Sequence, residues 1–361
     1  MPSKPILIMA GGTGGHVYPA LAIAEYLSQK GIPLMWLGTE KGLEARVVPA
    51  KGFTLFTIPI TGLRGKGLFK WIQAPVIISI ALVKAILILA RLKPAVVLGM
   101  GGFVSGPGGI AAWLMRIPLC IHEQNAVAGL TNRLLAPFAR CVMAAFPDTF
   151  PENINAKVTG NPVRPEIFRV ENPDSRIRTD SGLAMRVLVL GGSRGARKLN
   201  QIIPEVLTSL APEIKLEIWH QSGSDHYSET DSEYSKLNYK VKLQPYIENM
   251  AEAYAWADIV ICRAGALTVA ELSAAGAASI LIPFPYAVDD HQTANARFLT
   301  ESGAAILIQE RDLNSDVLCK LLSELFLARH KLLVMAQHAR TLALPEATRN
   351  VAETCLEVAY A

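Results

Sequence analysis

One pattern occurs twice in this chain and limits what it can become. Residues 5–27, PILIMAGGTGGHVYPALAIAEYL, and residues 186–210, RVLVLGGSRGARKLNQIIPEVLTSL, share one plan: a short apolar run, Gly-Gly-Ser/Thr, a further glycine, then a helix. Apolar runs of strand length bounded by glycine and proline are the signature of parallel strands buried on both faces. The runs PLMWLG, PAVVLGMG, IPLCIHE and CVMAA continue the first series, and LEIWHQSG, KVKLQPYI, DIVICRAG, SILIPFP and AAILI the second. Strands alternating with helices build an α/β sheet with helices on both sides. Two such series predict two doubly wound, Rossmann-like domains facing across a cleft, with ligands at the carboxyl ends of the strands.

At 361 residues each domain is long enough to bury its own core. Between them GNPVRPEIFRVENPDSRIRTDSGLAM, rich in Pro, Asp, Ser and Arg, reads as a linker. The expected division is 1–163 and 164–344, with the C-terminal helix, 345–361, open to packing back on the first domain.

Charge is uneven along the chain. Residues 1–160 hold 15 Lys and Arg against 6 Asp and Glu, and the remainder 20 against 25. A basic half suits an anionic membrane surface or an anionic substrate. No arginine-rich run or nucleic-acid-binding motif accompanies it, so nucleic acid is not an expected partner. Five widely spaced cysteines without Cys-x-x-Cys point to reduced thiols rather than a disulfide framework or zinc site. MPSKPILIMAGG is too short in its apolar run for a signal peptide and reads as a first strand. Residues 74–90, APVIISIALVKAILILA, are just short of a spanning helix. They read first as a buried helix ahead of PAVVLG. The preceding GLRGKGLFKW interleaves Arg64, Lys66 and Lys70 with Leu68, Phe69 and Trp71, a composition suited to a membrane interface.

The first glycine turn is not a complete dinucleotide fingerprint: Gly12 and Gly14 fit, but Val17 stands where the third glycine belongs. Glu40, closing the next strand, is the acidic residue such a cofactor site would want. Uncovered amides at a helix start can hold an anion, and His16 at that start can move a proton or pair with phosphate. The alternative is a tight turn and nothing more. Ser193 in GGSRGAR is an N-cap, a phosphate ligand or both. Thr268-Val-Ala-Glu271 is formally a capping box, in which Glu271 would reach back to the helix start; equally Glu271 could accept from a ribose. His122-Glu123 lacks the later histidine of a zinc protease, with Ala126 in its place, and there is no Asp-x-Asp. No metal and no cofactor are therefore expected.

The blocks GGTGGHVYPALA, GGFVSGPG, HEQNAVAGLTNR, TGNPVR, GGSRGAR, AWADIVICRAGALTVAEL and DDHQTANA occur in this order along essentially the whole chain. In that arrangement the sequence resembles the GT-B glycosyltransferases, and among them the N-acetylglucosaminyltransferases of bacterial peptidoglycan synthesis. The resemblance implies an inverting transfer of N-acetylglucosamine from UDP-N-acetylglucosamine to lipid I at the cytoplasmic face of the inner membrane. The first domain would then be the acceptor- and membrane-facing one and the second the UDP-sugar-binding one. Other cell-wall synthesis proteins would be candidate partners.

Carried over residue by residue, the resemblance sets Thr13, Gly14 and Gly15 on the donor-sugar side of the cleft and Asn125 on the sugar. It assigns Arg164 and Ser193 to the nucleotide, and the backbone of Ile247 to uracil. Ala266, Leu267, Thr268, Val269, Ala270 and Glu271 would cover phosphate and ribose, and Gln292 the N-acetylglucosamine hydroxyls. His16 would be the catalytic group or a ligand of the acceptor diphosphate. Departing UDP would be stabilised by helix-start amides at Ser193 and Ala266–Thr268 in place of a metal. The competing readings are another GT-B enzyme such as a glycolipid glycosyltransferase, a UDP-N-acetylglucosamine 2-epimerase, and a non-catalytic nucleotide-binding membrane scaffold.

Overall fold

The apolar runs fold as parallel strands of two separate sheets, in a computed structural model that describes residues 4–60, 68–180, 182–192 and 195–360. Ser193, Arg64 and Lys66 lie outside the described residues, as do the side chains of Leu68, Phe69, Lys70 and Trp71. The chain divides into two units, Met1–Val163 with Glu346–Ala361, and Arg164–Pro345.

In the first unit the strands are β1 (Ile6–Met9), β2 (Leu34–Gly38), β3 (Thr54–Thr57), β4 (Val96–Gly99), β5 (Leu119–Glu123), β6 (Cys141–Ala144) and β7 (Lys157–Val158). They pair in the order β3-β2-β1-β4-β5-β6-β7, all parallel. The edge strands β3 and β7 went unseen in the apolar pattern because they are short and carry polar or exposed residues. The helices are α1 (Gly14–Gln29), α2 (Glu44–Ala50), α3 (Leu68–Leu92), α4 (Gly102–Leu114) and α5 (Leu130–Leu135). Alternation along β1 feeds two cores. Leu7 and Met9 pack with residues of α3 and α4, and Ile6 and Ile8 pack with those of α1 and the last helix of the chain.

The second unit contains α6 (Pro165–Phe168), α7 (Pro173–Arg176), β8 (Met185–Leu190), α8 (Arg197–Ser209), β9 (Leu216–Gln221), α9 (Tyr227–Tyr234), β10 (Val241–Gln244) and α10 (Met250–Trp256). It continues through β11 (Ile259–Cys262), α11 (Ala266–Ala275), β12 (Ser279–Leu281), α12 (His291–Thr300), β13 (Ala305–Leu307), α13 (Ser315–Leu327) and α14 (His330–Thr341). Its parallel sheet runs β10-β9-β8-β11-β12-β13. The final helix, α15 (Ala347–Tyr360), belongs to the first unit, where Val351, Ala352 and Cys355 are fully buried against the sheet. The doubly wound α/β expectation holds for both sheets.

Three local expectations change. The stretch read as a linker is packed structure: Ile167, Val170 and Ile177 are buried, and Arg176 is buried with its guanidinium donating to the carbonyls of Tyr254, Ala257, Ala275 and Gly276. These carbonyls lie at or beside the C-terminal ends of α10 and α11, where unpaired acceptors and the negative end of the helix dipole favour a cation. Burial lowers the Arg176 pKa to about 10. The second change concerns α3, which precedes β4 as expected but is not a buried helix. Only 17% of its most apolar stretch is buried, and Val76, Val83 and Leu87 are 61%, 56% and 64% exposed. Among its described side chains, from Gln73 on, Ala74, Ala81, Ala85 and Leu89 alone are buried. A helix apolar on every side carries no pattern to say which side meets the sheet. By length and composition it is also the one helix among the described residues able to cross a membrane. Third, cysteines spread along the sequence gather in space. Cys120 and Cys141 are register partners on β5 and β6, and Cys355 packs in the same cluster beside Cys120. The Cys120 contact and burial hold the Cys355 thiol well above its usual range, and burial pushes Cys141 to about 11, which keeps both as inert thiols.

Candidate functional site

In each sheet the strand order reverses between two adjacent strands, β1 and β4 in the first and β8 and β11 in the second. The crevice outside such a reversal is where open α/β sheets take ligands. Both reversals are lined by the glycine turns of the sequence pattern.

At the first, the turn after β1 meets the turn after β4. A Cβ on Gly102 would stand 2.6 Å from the Gly11 carbonyl oxygen, so the two backbones touch only because that residue is glycine. Thr13 caps α1 without a side-chain hydrogen bond to its backbone, and its Oγ1 lies 3.2 Å from His16 Nδ1. The His16 ring packs over Gly101, where a Cβ would come within 2.9 Å of it. Gly14 and Gly15 are the first two helical residues. The acid that meets this turn is Glu44, not Glu40: Glu40 is exposed, whereas the fully buried Glu44 carboxylate accepts from the Gly12 N–H at 3.0 Å.

The loop after β5 is ordered by a second buried acid. Glu123 accepts from the Asn125 backbone N–H, Asn125 Nδ2, the Gly129 N–H and Asn132 Nδ2, at 2.8–3.1 Å. Asn125 is thereby held half-buried at the end of β5, and Glu123 is an organiser of the loop. His122 is fully buried, with Nε2 3.0 Å from the Gly160 carbonyl and Nδ1 3.0 Å from Gln124 Nε2. Burial lowers its pKa to about 4, so it is a neutral core residue.

In the second unit α11 begins at the end of β11. Gly265 is its N-cap and contributes no side chain, and no acid sits in the first turn. The amides of Ala266, Leu267 and Thr268 form that first turn, an arrangement that favours an anion. The capping-box reading fails in register: Thr268 is the third helical residue and Glu271 the sixth. Glu271 instead accepts from Arg164 Nη2 at 3.0 Å through Oε1 and from the Tyr254 hydroxyl at 3.1 Å through Oε2. Burial raises its pKa, and the Arg164 charge opposes that shift. Val269 is buried and Ala270 half-buried on the same helix. Arg164, at the N-cap of α6, thus meets α11 through a carboxylate 107 residues away. Tyr254 carries no local sequence signal for this role.

Ile247 donates its N–H to Gln221 Oε1 at 2.9 Å, so its carbonyl is what it can offer a base. Gln292, in the first turn of α12, accepts the Phe284 N–H at 2.9 Å, which leaves its amide nitrogen as the group suited to a sugar hydroxyl. Ser193 lies outside the described residues. Among the described residues no group of three His, Cys, Asp or Glu is arranged to hold a metal ion.

Two doubly wound units, each with a glycine-lined helix start at its strand reversal, are the build of the GT-B fold class. Residues 6–144 match the glycosyltransferase family 28 N-terminal domain and residues 186–351 the family 28 C-terminal domain. The chain belongs to glycosyltransferase family 28. It is 51% identical, over 98% of both chains, to the UDP-N-acetylglucosamine--N-acetylmuramyl-(pentapeptide) pyrophosphoryl-undecaprenol N-acetylglucosamine transferase of Nitrosococcus oceani. The crystal structure of MurG from Acinetobacter baumannii is 42% identical and superposes with a TM-score of 0.85, covering 98% of this chain and 99% of that one. UDP-GlcNAc 2-epimerase from Neisseria meningitidis, bound to UDP-GlcNAc, has a TM-score of 0.65 at 14% identity, with 98% of this chain and 100% of that chain covered. That second likeness concerns the fold alone.

Proposed function

We propose that this chain transfers N-acetylglucosamine, with inversion, from UDP-N-acetylglucosamine to the 4-hydroxyl of the muramoyl sugar of lipid I, the undecaprenyl-diphosphate-linked MurNAc-pentapeptide, making lipid II. The observation that carries this reading is the 51% identity to the Nitrosococcus enzyme over nearly the whole of both chains, which spans every site segment above.

On this reading the second unit binds the UDP-sugar. Amides of Ala266–Thr268 and the Ser193 turn receive the charge that develops on departing UDP, worth most where water is excluded. Glu271, oriented by Arg164 and Tyr254, accepts from the ribose. The Ile247 carbonyl meets uracil, and Asn125 and Gln292 contact the sugar. The first unit brings the acceptor, with Thr13, Gly14 and Gly15 beside the reacting sugar. Inversion needs the acceptor hydroxyl in line with the anomeric carbon and a proton acceptor near it. His16, backed by Thr13, is the group we assign to the proton or to the acceptor diphosphate.

The acceptor is a membrane lipid, and the first unit has a surface to meet it. Val76, Val83 and Leu87 on α3, Trp113 and Leu114 on α4 and Leu130 and Leu134 on α5 are exposed. Lys84, Arg116 and Arg133 are exposed on the same helices or at their ends. Apolar side chains flanked by cations suit peripheral docking on an anionic bilayer, here the cytoplasmic face of the inner membrane.

The test is incubation with labelled UDP-N-acetylglucosamine and a short-chain lipid I analogue, with and without excess EDTA, followed by linkage analysis. The expected product is the β-1,4 disaccharide at undiminished rate in EDTA. Release of the manno epimer without acceptor, or UDP binding with no sugar transfer, would overturn the reading.

A further inference from the structure

The first glycine turn is built around a carboxylate that the transfer scheme above leaves unused. Glu44 is fully buried at the start of α2. Its Oε1 accepts the Thr39 N–H at 2.9 Å and the Thr39 hydroxyl at 2.7 Å, and its Oε2 accepts the Gly12 N–H at 3.0 Å. Glycines from three segments make room for it. A Cβ on Gly11 would lie 2.6 Å from Glu44 Oε1, one on Gly38 2.7 Å from its Cγ, and one on Gly42 closer still to the carboxylate. Gly12 itself has φ +97, a conformation that aims its amide back at the acid and that a side chain would resist.

Among the described residues Glu44 makes no ion pair, so its charge is held by neutral donors alone. Such a site is costly to build unless every lone pair used is well directed. The arrangement has one mechanical consequence. The residue after Gly12 is Thr13, whose hydroxyl faces His16 Nδ1, and both residues depend on how the turn leaves β1.

We propose that Glu44 is a positioning residue for the transfer reaction: its carboxylate withdraws the Gly12 amide from the crevice and fixes the turn so that Thr13 and His16 face the acceptor. The turn therefore recognises the acceptor through Thr13, His16 and the later amides of the helix start, not through the Gly12 N–H. A phosphate oxygen arriving at Gly12 would meet a donor already taken, with a negative charge behind it. This rests on the reading in which Thr13 and His16 act in the transfer.

Glu44→Gln tests it with little change of shape. An amide oxygen can keep both Thr39 bonds, but its NH2 then opposes the Gly12 N–H, donor against donor. Thr39→Ala is the companion variant, since it removes a bond to the same carboxylate and spares the Gly12 contact. The full-length variants are assayed for UDP affinity, thermal midpoint, and kcat and KM with the lipid I analogue, with His16→Ala alongside. We expect Glu44→Gln to stay folded and bind UDP as the parent does while kcat falls about 10- to 100-fold, the scale of a small misplacement of reacting groups. Thr39→Ala should keep kcat within about threefold of the parent, because the Gly12 contact that sets the turn survives. An active Glu44→Gln beside an inactive His16→Ala overturns the positioning role. Equal loss in Thr39→Ala reduces Glu44 to general stability and overturns it as well. A fully active His16→Ala would instead defeat the transfer reading on which it rests.

Discussion

The two units hold their buried acids in opposite ways. In the first, the buried Glu44 and Glu123 accept from backbone amides, a threonine hydroxyl and asparagine side chains, with no ion pair among the described residues. In the second, Glu271 pairs with Arg164, and Asp258, fully enclosed, lies within ion-pair distance of Arg178, Arg186 and Arg329. The difference runs against net charge. The basic half keeps Lys84, Arg91, Arg116, Arg133 and Arg140 at its surface, and the acidic half buries Arg176 and Arg329. Composition therefore describes the field a bilayer would meet, while the field inside each unit is set by which charges are enclosed. Neutral donors order loops around an uncompensated negative charge, whereas arginines cancel it and tie distant helices together.

Breaking the arginine cluster should have the largest effect. Asp258→Ala strands three guanidinium groups around one cavity and should cost about 3–5 kcal/mol. Glu123→Gln, which strands neutral donors, should cost about 1–3 kcal/mol. Denaturant unfolding of the two variants compares them, and a reversed order would sink the contrast drawn here.

Acid should act on both units through a buried histidine. His122 is lowered to about 4 and His220 to about 3, each by burial, with His220 between Tyr234 and Asn200. Both pKa values are depressed on folding, so the stability they lend is complete above the unfolded value near 6.5 and is lost as pH falls below it. The loss is about 1.4 kcal/mol per pH unit for each. It ends near pH 4 for His122 and continues to about pH 3 for His220. His122→Gln and His220→Gln should each flatten the stability profile over its own window, as read by thermal melts from pH 7 to 3. A profile unchanged by either substitution would remove that histidine from the account.

A smaller effect is expected at Glu271. Glu271→Gln removes a partly screened pair and relieves a buried charge, so stability should change by less than about 1 kcal/mol. A carboxylate contact to hydroxyls is worth about 1.5–3 kcal/mol, so UDP affinity should fall roughly tenfold or more. Calorimetry with UDP measures it, and unchanged affinity would confine Glu271 to tying α6, α10 and α11 together.

The mildest change concerns the surface cations. Each basic residue near an anionic bilayer contributes roughly 1 kcal/mol and is screened by salt, whereas apolar contacts are not. Lys84→Ala with Arg133→Ala should weaken vesicle sedimentation mainly at low salt, and Val83→Ser with Leu87→Ser at both. Equal binding to neutral and anionic vesicles would rule out this surface.

Much of the architecture was legible in local pattern. Gly11–Gly15, and Gly191 with Gly192, fall at strand ends as the repeat indicated, and α11 starts where CRAGALTVAEL suggested. The edge strands β3 and β7 were not legible, because they are short and polar or exposed, whereas β10 and β13, the edges of the second sheet, keep enough apolar residues to be recognised. The capping box at Thr268 was a false signal, since four residues of the right type do not say where the preceding turn ends.

Sequence by itself determined the two doubly wound units and their glycine turns, because strand length, burial on both faces and tight strand-to-helix turns are demands on neighbouring residues. Which acid meets the first turn was decided only by tertiary structure. Glu40 is nearer along the chain, yet α2 brings Glu44 under Gly12. The same holds for Arg164 on Glu271, for Cys355 beside Cys120, and for the face of α3 left to solvent. Each depends on which helix lies over which strand, and that follows from the packing of whole layers rather than from any short stretch of chain.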